Sequence, residues 1–124
     1  MRIAFIGLAI ALAGCTAPPP VADNAPIAEI AGRIAGPAQR CVTLSQSEGL
    51  HTANRGTLAV RSGRTVWVNH LQDGCSGFGQ WDVIVTEPIG TQYCRGDLVR
   101  SFDSVSKIPG PTCRLGDFVP FTRG

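Results

Sequence analysis

A marked excess of charge of one sign is missing from this chain of 124 residues, in which eleven Lys and Arg stand against nine Asp and Glu. That balance leaves no electrostatic footprint for nucleic acid. Cys-x-x-Cys pairs are missing too: Cys41, Cys75, Cys94 and Cys113 are 34, 19 and 19 residues apart, a spacing without the knuckle of a structural zinc site. Apolar runs are short, and none approaches the roughly 20 residues of a membrane-spanning helix. Histidine is limited to His51 and His70. The densest glycine cluster, Gly74-Cys75-Ser76-Gly77-Phe78-Gly79, puts Phe78 where a nucleophile elbow needs glycine. It also lacks the Gly-Lys-Ser ending of a phosphate loop and the third glycine of a dinucleotide fingerprint. No metal, cofactor or catalytic motif is expected.

The most informative stretch that is present lies near the start. Met1-Arg2 is followed by an apolar segment to Leu12, by Ala13-Gly14, and by Cys15. A basic start, a short apolar run and small residues before a cleavage point describe a secretory signal. Leu12-Ala13-Gly14-Cys15 resembles the lipobox of bacterial lipoproteins. The resemblance implies cleavage after Gly14, lipidation of Cys15 and the lipid bilayer as the first partner. Thr16 stands where aspartate would signal retention in the inner membrane, so the expected location is the periplasmic side of the outer membrane. Thr16–Ala25, with Pro18-Pro19-Pro20, reads as an extended tether. Residues 1–14, 15–26 and 27–124 thus divide into signal, lipidated tether and one domain.

With Cys15 set aside, four cysteines remain in an exported domain, and two disulfides are expected in an oxidising compartment. Ile27, Ile30, Ala31 and Ile34 follow a helical period, with Pro26 before them and Gly36-Pro37 after, which predicts a short N-terminal helix. From Cys41 onward, runs rich in Val, Leu, Thr and aromatics alternate with turn residues. They predict strands at 41–45, 57–61, 64–71, 82–87, 97–102 and 117–121. A reversal at Arg61-Ser62-Gly63-Arg64 would set Leu58 opposite Trp67 and Ala59 opposite Val66, leaving both faces partly apolar. The fold class is therefore all-β, a small barrel or two-layer sheet of about six short strands with a short N-terminal helix and two disulfides. Four cysteines allow three pairings. In a simple meander, strand polarity favours Cys41–Cys94 with Cys75–Cys113.

Residues Ile30-Ala31-Gly32-Arg33, Arg40-Cys41-Val42, Trp67-Val68-Asn69, Gly74-Cys75, Cys94-Arg95-Gly96-Asp97 and Cys113-Arg114-Leu115-Gly116-Asp117 carry a further resemblance over about residues 27–121. The chain is similar to a family of small proteobacterial envelope proteins, many of them lipoproteins, known as a domain of unknown function. Ser76 departs from the proline expected after the second cysteine. The resemblance implies a folded four-cysteine domain and no particular activity.

Candidate functional residues are few. His70 near Asp73 has the composition of a general base or metal ligand, but a histidine at a strand end is ordinarily solvated. Asp97 and Asp103 lie about 20 Å apart if the strand between them is extended, too far for a carboxylate pair. Phe78, Trp81, Arg64, Arg95 and Arg114 are the residue types of interface hot spots and form the candidate binding patch, with Phe78 and Trp81 expected to be partly exposed. The expected role is a non-catalytic envelope interaction module with an envelope protein as a further partner. A binding or inhibitor module resembling lysozyme inhibitors in size and layout is the alternative, and an envelope hydrolase the least supported.

Overall fold

The apolar runs pair into three antiparallel sheets in the computed structural model, which describes residue 14 and residues 25–43, 49–87 and 90–124. The predicted signal segment apart from Gly14, Cys15, most of the predicted tether and the end of the first predicted strand fall outside the described residues. The strands in chain order are β1 (Ile34–Ala35), β2 (Cys41–Thr43), β3 (His51–Asn54), β4 (Thr57–Ser62), β5 (Thr65–His70), β6 (Val83–Thr86), β7 (Gln92–Cys94), β8 (Leu98–Phe102), β9 (Pro109–Arg114) and β10 (Phe118–Thr122). The main sheet has the order β1-β10-β5-β4-β3; β2 pairs with β7, and β6, β8 and β9 form the third sheet in that order. The all-β reading holds, but the sheets do not close into a barrel and the chain is not a simple meander. β10 returns to lie between β1 and β5.

The main sheet has two apolar faces. Leu58 and Val60 of β4 join Phe78, Val99, Leu115 and Phe118 in the larger core. On the opposite face Ala59, Val66 and Val68 are covered by Ile27 and Ile30. Burying both faces explains why Leu58, Ala59 and Val60 follow one another in β4 with no polar residue between them. The predicted hairpin forms, with Gly63 at φ 60° in a two-residue turn between Ser62 and Thr65. Its register differs from expectation by two residues: Val60 faces Trp67, Leu58 faces Asn69 and Ala59 faces Val68. A shift of two keeps every side chain on its expected face, so the core assignment survives the error.

The predicted N-terminal helix is replaced by a single 3₁₀ turn, Ala28–Ile30. Gly32 takes φ 74° and turns the chain into β1, whose pairing with β10 covers an otherwise open sheet edge. Ile27 and Ile30 still pack inward, whereas Ile34 is 62% exposed. Sequence patterning also misses β3, β7 and β9. Pro109 and Pro111 disqualify β9 as a central strand, and the chain uses it where proline is tolerated, at a sheet edge.

Cys41 and Cys94 are direct register partners in the β2–β7 ladder and form one disulfide. Cys75 and Cys113 form the other. This is the expected pairing, reached through a topology different from the one that suggested it. The bridges close chain separations of 53 and 38 residues, each stabilising by about 4 kcal/mol in the chain-entropy account.

The turn between β9 and β10 binds the sheets together. Fully buried Asn69 donates to the Gly116 carbonyl (2.8 Å) and accepts from the Gly116 N–H (2.7 Å). Gln72 donates to the Leu115 carbonyl (2.7 Å), and Leu115 exchanges backbone bonds with Gly96 and Asp97. A Cβ on Gly116 would overlap the carbonyl oxygen of His70. Gly116→Ala should therefore destabilise by ~2–3 kcal/mol in chemical unfolding under oxidising conditions. Gly49→Ala, at a position with open space around it, should change stability by less than about 0.5 kcal/mol.

Candidate functional site

His70 ends β5, the following 3₁₀ turn Gln72–Gly74 carries Asp73, and the clasped turn brings Asp117 beside them. Arg95 enters from the other side because its N–H bonds the Arg40 carbonyl (2.7 Å) just beyond the β2–β7 ladder. Together with Ala38, Gln72, Gly116 and Val119 these residues line an open cleft of about 390 Å³. Inside it Arg95 Nη1 lies 3.2 Å from Asp117 Oδ2, with both side chains some 40% exposed. Such a pair contributes at most about 1 kcal/mol and chiefly orients the guanidinium.

The imidazole of His70 is paired with Thr57 rather than Asp73: Nδ1 lies 3.0 Å from Thr57 Oγ1. Thr57 is only 2% exposed, which denies a substrate access to its hydroxyl and makes the contact one of positioning. His51 Nε2 meets Glu29 Oε1 at 2.6 Å and ties the N-terminal segment to β3. Among the described residues no group of three or more His, Cys, Asp or Glu side chains converges as a metal site would require.

The two aspartates around β8 serve separate turns. Asp97 Oδ2 accepts from the Cys94 N–H (2.8 Å), the local backbone bond expected after Gly96. Asp103 Oδ1 accepts from the N–H groups of Val105 (2.9 Å) and Ser106 (2.8 Å). These bonds, with that of Ser106 foremost, hold the Asp103 carboxyl below its ordinary value.

The candidate patch does not assemble. Phe78 is fully buried, because its N–H and that of Gly77 both bond the Arg55 carbonyl and draw the glycine loop inward. Trp81 is 78% exposed, as expected. Arg95 and Arg114 lie together, Arg114 Nη1 donating to the Gly96 carbonyl (2.9 Å). Arg64 sits in the β4–β5 turn, six extended residues or about 20 Å from His70 at the other end of β5. Sequence reasoning passed over Asn69, Gln72 and Asp117. An asparagine within the apolar run Trp67-Val68-Asn69 was the one available signal, since a buried amide demands partners.

No family model matches this chain, and no curated protein or solved structure is found to be similar to it.

Phe78→Ala should cost about 3–5 kcal/mol in unfolding experiments, the penalty for removing a buried aromatic. Trp81→Ser should stay within about 0.5 kcal/mol of wild type. Asp103 gives a pH signature. Its folded pKa lies below the unfolded value near 3.8, so its stabilisation is present above that value and lost as pH falls through the folded one. The melting-temperature advantage of wild type over Asp103→Asn should accordingly shrink on acidification through that window.

Proposed function

We propose that this chain is an exported, lipid-anchored envelope module that works by binding and not by catalysis. One relation carries the reading. Cys15 of the lipobox-like stretch lies ten positions before Ala25, where Asn54 Nδ2 bonds the Ala25 carbonyl (3.1 Å) and ties the chain to the domain. A proline-rich segment of that length reaches roughly 30 Å when extended, enough to carry the domain clear of lipid headgroups. Two disulfides suit the oxidising space outside the inner membrane. No helix among the described residues is long and apolar enough to cross a membrane, and anchoring in this reading falls to the acylated Cys15. Thr16 favours the outer membrane over the inner. The likeness to the proteobacterial four-cysteine envelope family belongs to the same proposal.

Exposed Trp81 favours a second, narrower reading, an inhibitor module that seats this side chain on an envelope or extracellular protein such as a lysozyme. Its neighbour Gln80 shares a cleft with Pro26, so Trp81 stands near the place where the tether joins the domain. Loss of lysozyme protection in Trp81→Ser cells, with the domain still folded, would support that reading.

Anchoring is tested directly. The mature wild-type chain should begin at Cys15, carry acyl mass and partition into detergent, each buried CH₂ contributing about 0.8 kcal/mol. Cys15→Ser should leave the membrane fraction or remain uncleaved. A mature wild-type mass without lipid overturns the proposal.

A further inference from the structure

The far end of the main sheet gathers arginines. β1 pairs with β10 through Ile34↔Thr122 and Ala35↔Phe121, so carrying the register one residue outward sets Arg33 opposite Arg123. β10 pairs with β5 through Phe121↔Val66, and two residues further the same register sets Arg123 opposite Arg64. Arg33, Arg123 and Arg64 therefore form one row across three neighbouring strand ends. Arg61, opposite Val66, belongs to the row behind it on the same face. Like charges directly opposite one another destabilise a sheet, and three in a row leave a local excess of positive charge.

The row lines a cleft of about 720 Å³ together with Gly63, Thr122 and Gly124, and no acidic side chain is among the lining residues. Glu29, on the segment covering this face, is bonded to His51. Arg33 is held in place: its Nη1 donates to the Arg64 carbonyl (2.8 Å) and, at 3.5 Å, to that of Phe121. Its Nε is a buried donor with no partner among the described residues. Arg64 and Arg123 are exposed, so their guanidinium groups are accessible to a ligand.

We infer that Arg33, Arg64 and Arg123 form a binding site for a multiply charged oxyanion of the diphosphate class. Guanidinium forks match phosphate oxygens through paired, charge-assisted hydrogen bonds. The Arg33 guanidinium reaches across to the Arg64 carbonyl, so three guanidinium groups converge on one cleft and offer more charge and more donors than a singly charged oxyanion uses. The site lies at the opposite end of the sheet from Asn54, which holds the incoming tether. It goes beyond the anchored reading and does not depend on it.

The test uses the full chain with its disulfides intact, at low ionic strength, titrated calorimetrically with inorganic pyrophosphate. Saturable binding at about 1 mM or tighter is expected, weakening as salt is raised. Arg64→Gln and Arg123→Gln should each weaken it about tenfold or more while melting as wild type does. Arg100→Gln, which loses only the exposed pair with Glu87 on another sheet, should leave it unchanged. Vesicles with and without an anionic phospholipid separate the two sources of the ligand. Pyrophosphate binding alone supports a soluble diphosphate; pyrophosphate binding plus Arg64- and Arg123-dependent binding to the anionic vesicles supports a phosphorylated headgroup. Absence of saturable pyrophosphate binding, or affinity indifferent to Arg64 and Arg123, overturns the inference.

Discussion

Asn69 makes two hydrogen bonds to Gly116 from a site with no exposure to solvent, and the assembly of the three sheets turns on them. The residues between β9 and β10 are where the chain leaves the third sheet and joins the main one. Leu115 fills the core at this point, its backbone bonds the turn after β7, and Cys113 just before it is bridged to Cys75. A buried amide left unpaired costs more than an ordinary hydrogen bond contributes, so this geometry excludes nearby alternatives. The clasp accepts only glycine at 116, because the His70 carbonyl occupies the space of a side chain.

Each sheet is small, and the two-stranded β2–β7 pair would be marginal alone. The larger core is shared among all three, with Val42 from the two-stranded sheet, Val60 from the main sheet and Val99 from the third. The smaller core exists because the N-terminal segment crosses the outer face of the main sheet from Asn54 toward the β4–β5 turn. That crossing gives the domain two unlike ends. One holds Ala25 at Asn54; the other presents the arginine row. The cleft holding His70, Arg95 and Asp117 lies by the clasp, with Arg95 paired to Asp117 and His70 to the buried Thr57 hydroxyl.

Much of the fold was legible because it rests on short-range chemistry. Valine-rich runs indicated β4, β5, β6, β8 and β10, and Gly63 marked the β4–β5 reversal. Two errors share one cause. Ile27, Ile30, Ala31 and Ile34 share a helical period, yet two of these residues cover a sheet and the chain then becomes strand, a choice made by the open edge of β10. Phe78 sits among glycines that suggest exposure, yet two backbone bonds to Arg55 fold the loop inward. The candidate patch failed similarly: residue type identifies what a hot spot is made of and says nothing about which residues meet.

By itself the sequence determined that the domain is β-rich and that its apolar residues divide between two faces, and the even number of cysteines beyond Cys15 pointed to two bridges. These follow from composition and side-chain alternation, properties a strand carries wherever it lies. Only the tertiary structure decided that β10 lies between β1 and β5, that Cys41 and Cys94 meet as ladder partners, and that Arg33, Arg64 and Arg123 fall into one row. Those outcomes depend on pairings between segments as many as 88 residues apart, as Ile34 and Thr122 are. Such pairings are selected by the joint burial of both sheet faces and by the closure of Asn69 on Gly116, and no local stretch encodes either.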